Sequence, residues 1–497
     1  MDDMNIDRRD FIRRVGRGAL GLAGSSALLG SRSALAAAAR QQKLNVVFIL
    51  IDDLGWKDVG CYGANLYETP NIDRLAGQGM RFTDAYAACP VCSPTRASIM
   101  TGRYPARLHL TDWIAGHKRP WAKLTVPKFN LQLPADEVTL AEALKPAGYV
   151  SASIGKWHLG DKGYHPTDQG FDVNFAGTKW GAPQRYFHPY KRISYPARLE
   201  NEYVTDRLTL EAEDFIEANR DKPFFLYLSH FAVHTPLQAK KDKIAKYKAK
   251  IARMGLKLKP DIAGRRAIYA AMIESMDESV GRVMSKLDAL KIADRTVVFF
   301  MSDNGGLVRG GITSNAPLRE GKGTMYEGGI REPMIIRWPG VVKPGSMCST
   351  PVISTDFFPT ILEMTGLEPD PSRALDGVSL VPLLRQTGAI AERPLYWHYP
   401  HYHPGGARPS GAIRQGNFKL IERYEDGRLE LYDLKQDVGE KHDLTDRMPA
   451  KAAELRKMLQ DHLKAVNAQM PTPNPNHDPA RADDWPGRRP RRPKAKK

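Results

Sequence analysis

The sequence predicts an α/β protein: a large mixed β-sheet flanked by helices, followed by a smaller C-terminal α+β subdomain with a short antiparallel sheet. Three observations predict it. Apolar runs that end in acids or histidines alternate with amphipathic helices, the pattern of a sheet covered on both faces. After about residue 390 the texture changes to short alternating runs joined by tight turns. The length of 497 residues exceeds what one ordinary core supports and favours one large domain plus a smaller one.

In chain order, "LNVVFILIDDLGW" is continuously apolar from Leu44 to Ile51 and stops at Asp52 and Asp53, a buried strand that delivers two acids at its carboxyl end. "PFFLYLSHFAVHTP" predicts a strand from Phe224 to Leu228 leading into His230 and His234. "RTVVFFMSDNGG" predicts another from Thr296 to Met301, followed by Asp303, Asn304 and a glycine pair that permits a sharp turn. The clearest helix between them carries Ile268, Met272, Met276, Val280, Val283, Leu287 and Leu290 at three- and four-residue spacing, which makes the methionines core residues. Ligands of such sheets sit beyond the carboxyl ends of the strands, so the acids stand where a site belongs. "SGAIRQGNFKLIERYEDGRLELYDLKQD" then reads as antiparallel strands turning at Asp426-Gly427, closed by a helix with Leu455, Leu459, Leu463 and Val466 on its apolar face. From Pro471 to Lys497 the chain is Pro-rich and basic, the composition of a disordered tail. No internal repeat is present.

The net charge of +17 is concentrated at the ends: residues 1–40 carry +3 and residues 481–497 carry +6, leaving +8 for the body. That modest excess suits an anionic substrate, and no aromatic ribonucleoprotein motif or zinc-finger spacing accompanies it, so no nucleic acid is expected. Arg8 and Arg9, Phe11, a mildly apolar Gly/Ser-rich stretch, and small residues at Ala34 and Ala36 have the layout of a twin-arginine export signal over residues 1–36. A membrane anchor is the competing reading, but Arg32 breaks the run, which would span poorly. The expectation is export through the twin-arginine machinery to the periplasm or the medium, with no stable membrane anchor.

"ACPVCSPTRASIMTGRYP", from Ala88 to Pro105, places two of the four cysteines three apart. A redox C-x-x-C is one reading, but the length and the other motifs do not fit a thioredoxin-like domain. Zinc is a second, but a structural site wants four ligands and no second C-x-x-C exists. A disulfide or a buried thiol is the third. The fourth uses Cys92-Ser93-Pro94-Thr95-Arg96 as a unit, because C-x-P-x-R resembles the signature of the formylglycine-dependent, type I sulfatases of the alkaline phosphatase superfamily. In that family the cysteine is oxidised by a separate maturation enzyme to an aldehyde, formylglycine.

The resemblance extends from about residue 44 to 445 in order. Asp52 and Asp53 match the family's metal-binding acids, and Asp303 and Asn304 the second metal-binding pair, with modified Cys92 facing the same ion. Lys156 and His158 lie in "GKWHLG", His234 in "HTP" and Lys322 in "LREGKGTMYEGGIREP", all similar to family motifs. "ELYDLKQDVGE", Glu430 to Glu440, resembles the family's C-terminal subdomain. The resemblance implies an alkaline-phosphatase-like catalytic domain, placed over 41–388, while the change of texture marks the subdomain over 389–470 and composition the tail over 471–497. If Cys92 is consumed in this way, Cys61, Cys89 and Cys348 leave room for at most one disulfide.

The residue chemistry agrees. Three carboxylates and an amide oxygen form an all-oxygen set for one hard cation per chain, Ca²⁺ first and Mg²⁺ second. A helix N-cap pair is the competing reading of Asp52-Asp53, and two acidic strand ends in one chain argue against it. A hydrated aldehyde offers an acidified oxygen that attacks sulfur in line, and its second hydroxyl, deprotonated towards His158, expels sulfate. Lys156, Lys322 and Arg96 place positive charge at the sulfuryl oxygens. Arg96, one helical turn after Cys92, would orient the hydrate and the cation's acids. His234, helped by Lys322, is the candidate general acid. Lys179, Trp180, His188, His398, His401, His403 and Arg408, and the segment from Tyr104 to Pro134, are further candidates to line the pocket; "HYPHYHPGGARP" reads equally as a surface loop.

The sequence therefore predicts hydrolysis of a sulfate monoester, with a sugar hydroxyl as leaving group because the C-terminal run from His398 resembles carbohydrate sulfatases. The rival enzyme is a phosphate or phosphonate monoester hydrolase of the same superfamily. The rival from another class is a non-catalytic protein that binds sulfated glycans.

Overall fold

The computed structural model describes residues 43–485; residues 1–36, read as the export signal, lie outside them. Strand Asn45–Ile51 forms where the sequence is continuously apolar, and all seven residues are buried because the sheet is covered on both faces. Its side chains alternate: Val47, Ile49 and Ile51 enter one core, Val46, Phe48 and Leu50 the other. The strand pairs in parallel with Phe224–Ser229 on one side and Thr296–Ser302 on the other. Beyond the first come Val150–Gly155 and Val173–Phe175, also parallel. Beyond the second come Arg331–Arg337 and then Met80–Tyr86, each antiparallel to its predecessor, with Val352–Ile353 and Ser346–Cys348 on the far edge. The sheet is therefore mixed, and its five adjacent parallel strands bring their carboxyl ends to one edge.

Helix Pro260–Ala289 covers one face and buries Met272, Met276, Val280, Val283 and Leu287 completely, so the methionines are core. Helix Cys92–Thr101 lies under the other face with all ten residues buried and stops where Gly102 takes a left-handed φ of 70°. Strands Leu395–Tyr399, Ser410–Gln415, Phe418–Arg423 and Leu429–Asp433 form a consecutive antiparallel sheet. Leu455, Leu459 and Leu463 of helix Pro449–Ala465 cover one side of it.

The other side of this small sheet packs Trp397, Tyr399, Ala412 and Ile421 against Tyr86, Val91, Met325 and Ile330 of the large domain. A buried ion cluster crosses the same boundary. Lys419 Nζ donates to Glu327 Oε1 and Glu440 Oε1, both at 2.9 Å, with all three side chains fully buried. Glu327 follows five residues after Lys322, so the subdomain holds the segment that carries a candidate site residue.

One expectation is corrected. Residues 471–485 are not a free tail: Thr472–Pro473 pairs antiparallel with Leu124–Thr125, Asn474 Nδ2 donates to the carbonyls of Pro120 and Ala122, and Asp483 meets Arg119 at 3.0 Å. Prolines tolerate this because such a two-residue edge pairing asks for few backbone donors. Residues 486–497 lie outside the described residues. None of the four cysteines is joined to another.

Candidate active site

The site forms where strand ends meet the start of helix Cys92–Thr101. Asp52 and Asp53 follow Ile51, Lys156 and His158 follow Gly155, His234 follows the strand ending at Ser229, and Asp303 and Asn304 follow Ser302. Backbone hydrogen bonds fix these exits: Asp52 N donates to Ala232 O at 3.0 Å, Asp303 N to Ile51 O at 2.9 Å and Lys156 N to Ser229 O at 2.7 Å. Asp53 and His158 hold left-handed φ values of 62° and 60°, conformations that cost a β-carbon residue energy and that cluster at functional sites.

All ten motif residues come together here. Lys156 Nζ donates to Asp52 Oδ2 at 2.7 Å, both side chains fully buried, and Lys322 Nζ donates to Asp53 Oδ1 at 2.5 Å. Arg96, fully buried, donates to Asp303 Oδ2 through Nε at 2.9 Å and Nη2 at 2.7 Å, to the Lys156 carbonyl at 2.9 Å, and to Ser229 Oγ. The guanidinium thus fixes one acid and the backbone of the lysine-histidine segment together. Asn304 Nδ2 donates to Asp53 Oδ1 at 2.8 Å, and Asp53 N to Asp303 Oδ1 at 3.3 Å.

Two observations test these residues as a cation site. Asp52 Oδ1 and Asn304 Oδ1 are buried with no hydrogen-bond partner among the described residues, which leaves two oxygen lone-pair sets unused in the interior. Burial, together with the neighbouring Asp303 and Asp53 and against the pull of Lys156, pushes the Asp52 carboxyl well above its usual range. A hard divalent ion would answer both, so the acids fit one. Asp52, Asp53 and His234 also present donor atoms within 4.8 Å of one another, placing the histidine closer to the acids than the motif reading required.

The two histidines differ in what their hydrogen bonds leave free. A backbone carbonyl only accepts, so the 2.5 Å contact to Ile114 O puts the proton of His158 on Nε2 and leaves Nδ1 bare, 3.4 Å from Cys92 Sγ. Burial, with Lys156 alongside, holds this imidazole well below its usual range, hence neutral. His234 donates from Nδ1 to Thr235 O at 2.6 Å, and its bare Nε2 lies 3.7 Å from Asp53 Oδ2. Burial and Lys322 hold it down at about 3. Burial works against the charge of Lys322, but Asp53, with Cys92 and Asp52, raises its ammonium above the usual range. The proton-bearing group on this side is therefore Lys322.

The weaker candidates divide. His403 packs on Gly323, next to Lys322. His398 is used up between Tyr424 OH at 2.8 Å and Gln469 O at 3.0 Å, and His401 bonds Thr111 Oγ1 at 2.8 Å; both are packing residues of the subdomain. Lys179 is paired with Asp161 at 2.5 Å and stands, with Trp180, at the surface. His188 meets Tyr195 O at 3.2 Å, and Arg408 meets Glu425 at 3.0 Å. From the Tyr104–Pro134 segment, Trp113 brings its ring to 6.3 Å from His158 and donates to His117 at 2.9 Å.

Sequence reasoning missed the carbonyl of Ile114, Ser229 and Gly181. A β-carbon at Gly181 would stand 2.6 Å from Cε1 and 3.0 Å from Nδ1 of His158, so only glycine lets the backbone lie against this ring. Gly181→Ala is expected to turn the imidazole away from residue 92 and lower kcat by about 10²-fold with little change in melting temperature. A variant with unchanged kcat would show that the ring needs no such wall.

A buried acid cluster, two lysines and an arginine around a helix-borne cysteine define a hydrolase of charged oxyacid esters. The family model for sulfatases matches residues 44–367, and that of the N-sulphoglucosamine sulphohydrolase C-terminal region matches residues 321–469. The chain belongs to the sulfatase family and is a sulfuric ester hydrolase. It is 34% identical to a sulfatase of Formosa agariphila over 82% of this chain and 86% of that one. It is 37% identical to the N-acetylgalactosamine-6-sulfatase of Sus scrofa over 75% and 71%. The solved structure of Ps i-CgsB in complex with k-i-k-neocarrahexaose superposes with a TM-score of 0.71 at 32% identity, covering 85% of this chain and 93% of that chain. A phosphonate monoester hydrolase of Agrobacterium radiobacter, 21% identical with a TM-score of 0.63 over 85% and 96%, shares the fold.

Proposed function

We propose that the protein hydrolyses sulfate monoesters on a sulfated carbohydrate, using residue 92 as nucleophile after a maturation enzyme has converted Cys92 to formylglycine. The observation that carries this reading is the bare Nδ1 of His158 3.4 Å from Cys92 Sγ, in a pocket that also holds Lys156, Lys322 and three carboxylates. The sulfur marks where the aldehyde-derived oxygens would stand. The names of the N-acetylgalactosamine-6-sulfatases and the neocarrahexaose complex support a sugar as leaving group.

Asp52, Asp53, Asp303 and Asn304 would hold one cation, Ca²⁺ before Mg²⁺, because their donors are oxygens. When bound, the ion supplies positive charge at the sulfuryl oxygens and acidity at the oxygen on residue 92. Lys156 and Lys322 bind the sulfuryl oxygens from two sides, adding fixed charge in a buried site where it acts strongly. Arg96 holds Asp303 and the Lys156 backbone in register. His158 accepts the proton of the residue 92 hydroxyl at Nδ1, and its Nε2–H stays on Ile114. The Lys322–His234 pair faces the departing alcohol, with Lys322 as proton source, since Nε2 of His234 starts bare.

The domain division at 388/389, and export through the twin-arginine route to the periplasm or medium, belong to the same proposal; no helix among the described residues is long and apolar enough to cross a membrane. The test compares 4-nitrophenyl sulfate with 4-nitrophenyl phosphate, with and without EGTA. Sulfate turnover ahead of phosphate, stopped by EGTA and restored by Ca²⁺, is the expected result. Faster phosphate turnover would favour the phosphohydrolase rival, and turnover of neither by the aldehyde-bearing protein would favour the glycan-binding one.

A further inference from the structure

The segment Pro471–Trp485 lies beyond both family models, which end at residues 367 and 469, and is nevertheless fastened along the large domain. Asn474 N donates to Lys123 O at 3.1 Å and Asp478 N to Trp121 O at 3.2 Å. Asp483 meets Arg119 at 3.0 Å and Arg408 of the subdomain at 3.3 Å. These ties deliver Trp485, half-buried, edge-on to His117 with ring centroids 5.3 Å apart, while the Arg119 guanidinium lies 4.7 Å over Tyr402 and 4.8 Å over Trp485.

His117 links the two sides of the catalytic pocket. On one side it accepts from Trp113, whose ring neighbours His158; on the other its ring lies 5.3 Å from His403, which packs on Gly323 beside Lys322. Trp485 is therefore one side chain outward from Trp113, whose ring neighbours His158, and from His403, which packs beside Lys322. The wall it completes is aromatic and imidazole-rich. Arg119 is paired with Asp483, its buried Nε keeping no partner among the described residues, and Arg408 is paired with Glu425 and Asp483, so the wall offers stacking faces and a hydrogen-bond donor. That chemistry fits the C–H face and hydroxyls of a sugar ring.

We propose that the segment Pro471–Trp485 completes the substrate pocket, and that Trp485, with His117 and His403, forms a subsite for the sugar next to the ester-bearing ring. This rests on the carbohydrate reading above. The test measures kcat/KM of full-length Trp485→Ala and Trp485→Phe on a galactosamine-6-sulfate disaccharide, a sulfated carrageenan tetrasaccharide and 4-nitrophenyl sulfate, with melting temperatures alongside. Trp485→Ala is expected to lower kcat/KM on the saccharide about tenfold more than on the aryl ester, mainly through KM, and Trp485→Phe to recover most of that difference. Equal losses on both substrates, or no loss on either, would overturn the subsite while leaving the sulfatase reading intact. If the parent enzyme cleaves the aryl ester and neither saccharide, the carbohydrate reading fails and the subsite falls with it.

Discussion

Cys92→Ala is expected to lose turnover by roughly 10⁴-fold or more while keeping the fold. The side chain removed is the one that would carry the nucleophile, and alanine offers no aldehyde, so neither Lys156 nor the acids have a reacting oxygen to act on. The structural cost is small. Residue 92 opens a helix whose ten residues are all buried, and its sulfur has a single polar contact among the described residues, His158 Nδ1, so losing it removes one atom from a well-packed wall. The measurement is kcat on 4-nitrophenyl sulfate beside the melting temperature. Loss of activity with an unchanged transition supports the assignment; near-parental activity would place the nucleophile elsewhere.

Lys419→Met is expected to be the largest single-site loss of stability, about 3–5 kcal/mol, because it leaves two buried carboxylates without their shared cation. In the parent, burial works against Glu327, but Lys419, with Arg331 and Arg414, holds its carboxyl down at about 2. Burial, with Glu327 opposing Lys419, pushes Glu440 up to about 7. The pH dependence follows from the sign of these shifts. The stabilising contribution of Glu327 is present above its unfolded value near 4.5 and is lost only as pH falls towards 2. In the variant both carboxyls are raised, so its deficit is greatest near pH 8 and shrinks towards pH 5 as they protonate. Denaturant melts at the two values check this. Activity should fall as well, since Glu327 anchors the segment that presents Lys322; a deficit independent of pH would mean the cluster stabilises by packing alone.

Much of the site was legible because its chemistry sits at strand ends. Asp52-Asp53 and Asp303-Asn304 follow uninterrupted apolar runs, and a parallel sheet leaves no choice about which edge such residues share. Arg96 was legible through the resemblance of Cys92-Ser93-Pro94-Thr95-Arg96 to the sulfatase signature, and helical spacing placed it one turn after Cys92. What stayed hidden acts through space or through the backbone. Ile114 contributes only a carbonyl, yet it decides which nitrogen of His158 faces residue 92. Gly181 contributes the lack of a β-carbon, and Ser229 a hydroxyl to Arg96, and none of these contacts leaves a local pattern. The histidines of "HYPHYHPGGARP" looked alike in sequence, but His403 packs on Gly323 beside Lys322, whereas His398 and His401 are taken by Tyr424 and Thr111. Pro471–Trp485 was misread because composition reports what a segment cannot bury alone, while its order comes from partners near residue 120.

The assignment of residue 92 is tested most directly by mass spectrometry of the peptide spanning Ala88 to Arg103 from protein made in its native host. The account predicts a mass in which the thiol has given up sulfur and two hydrogens for one oxygen, together with reaction at that residue with a hydrazide probe. An intact thiol in every molecule of an active preparation would contradict it.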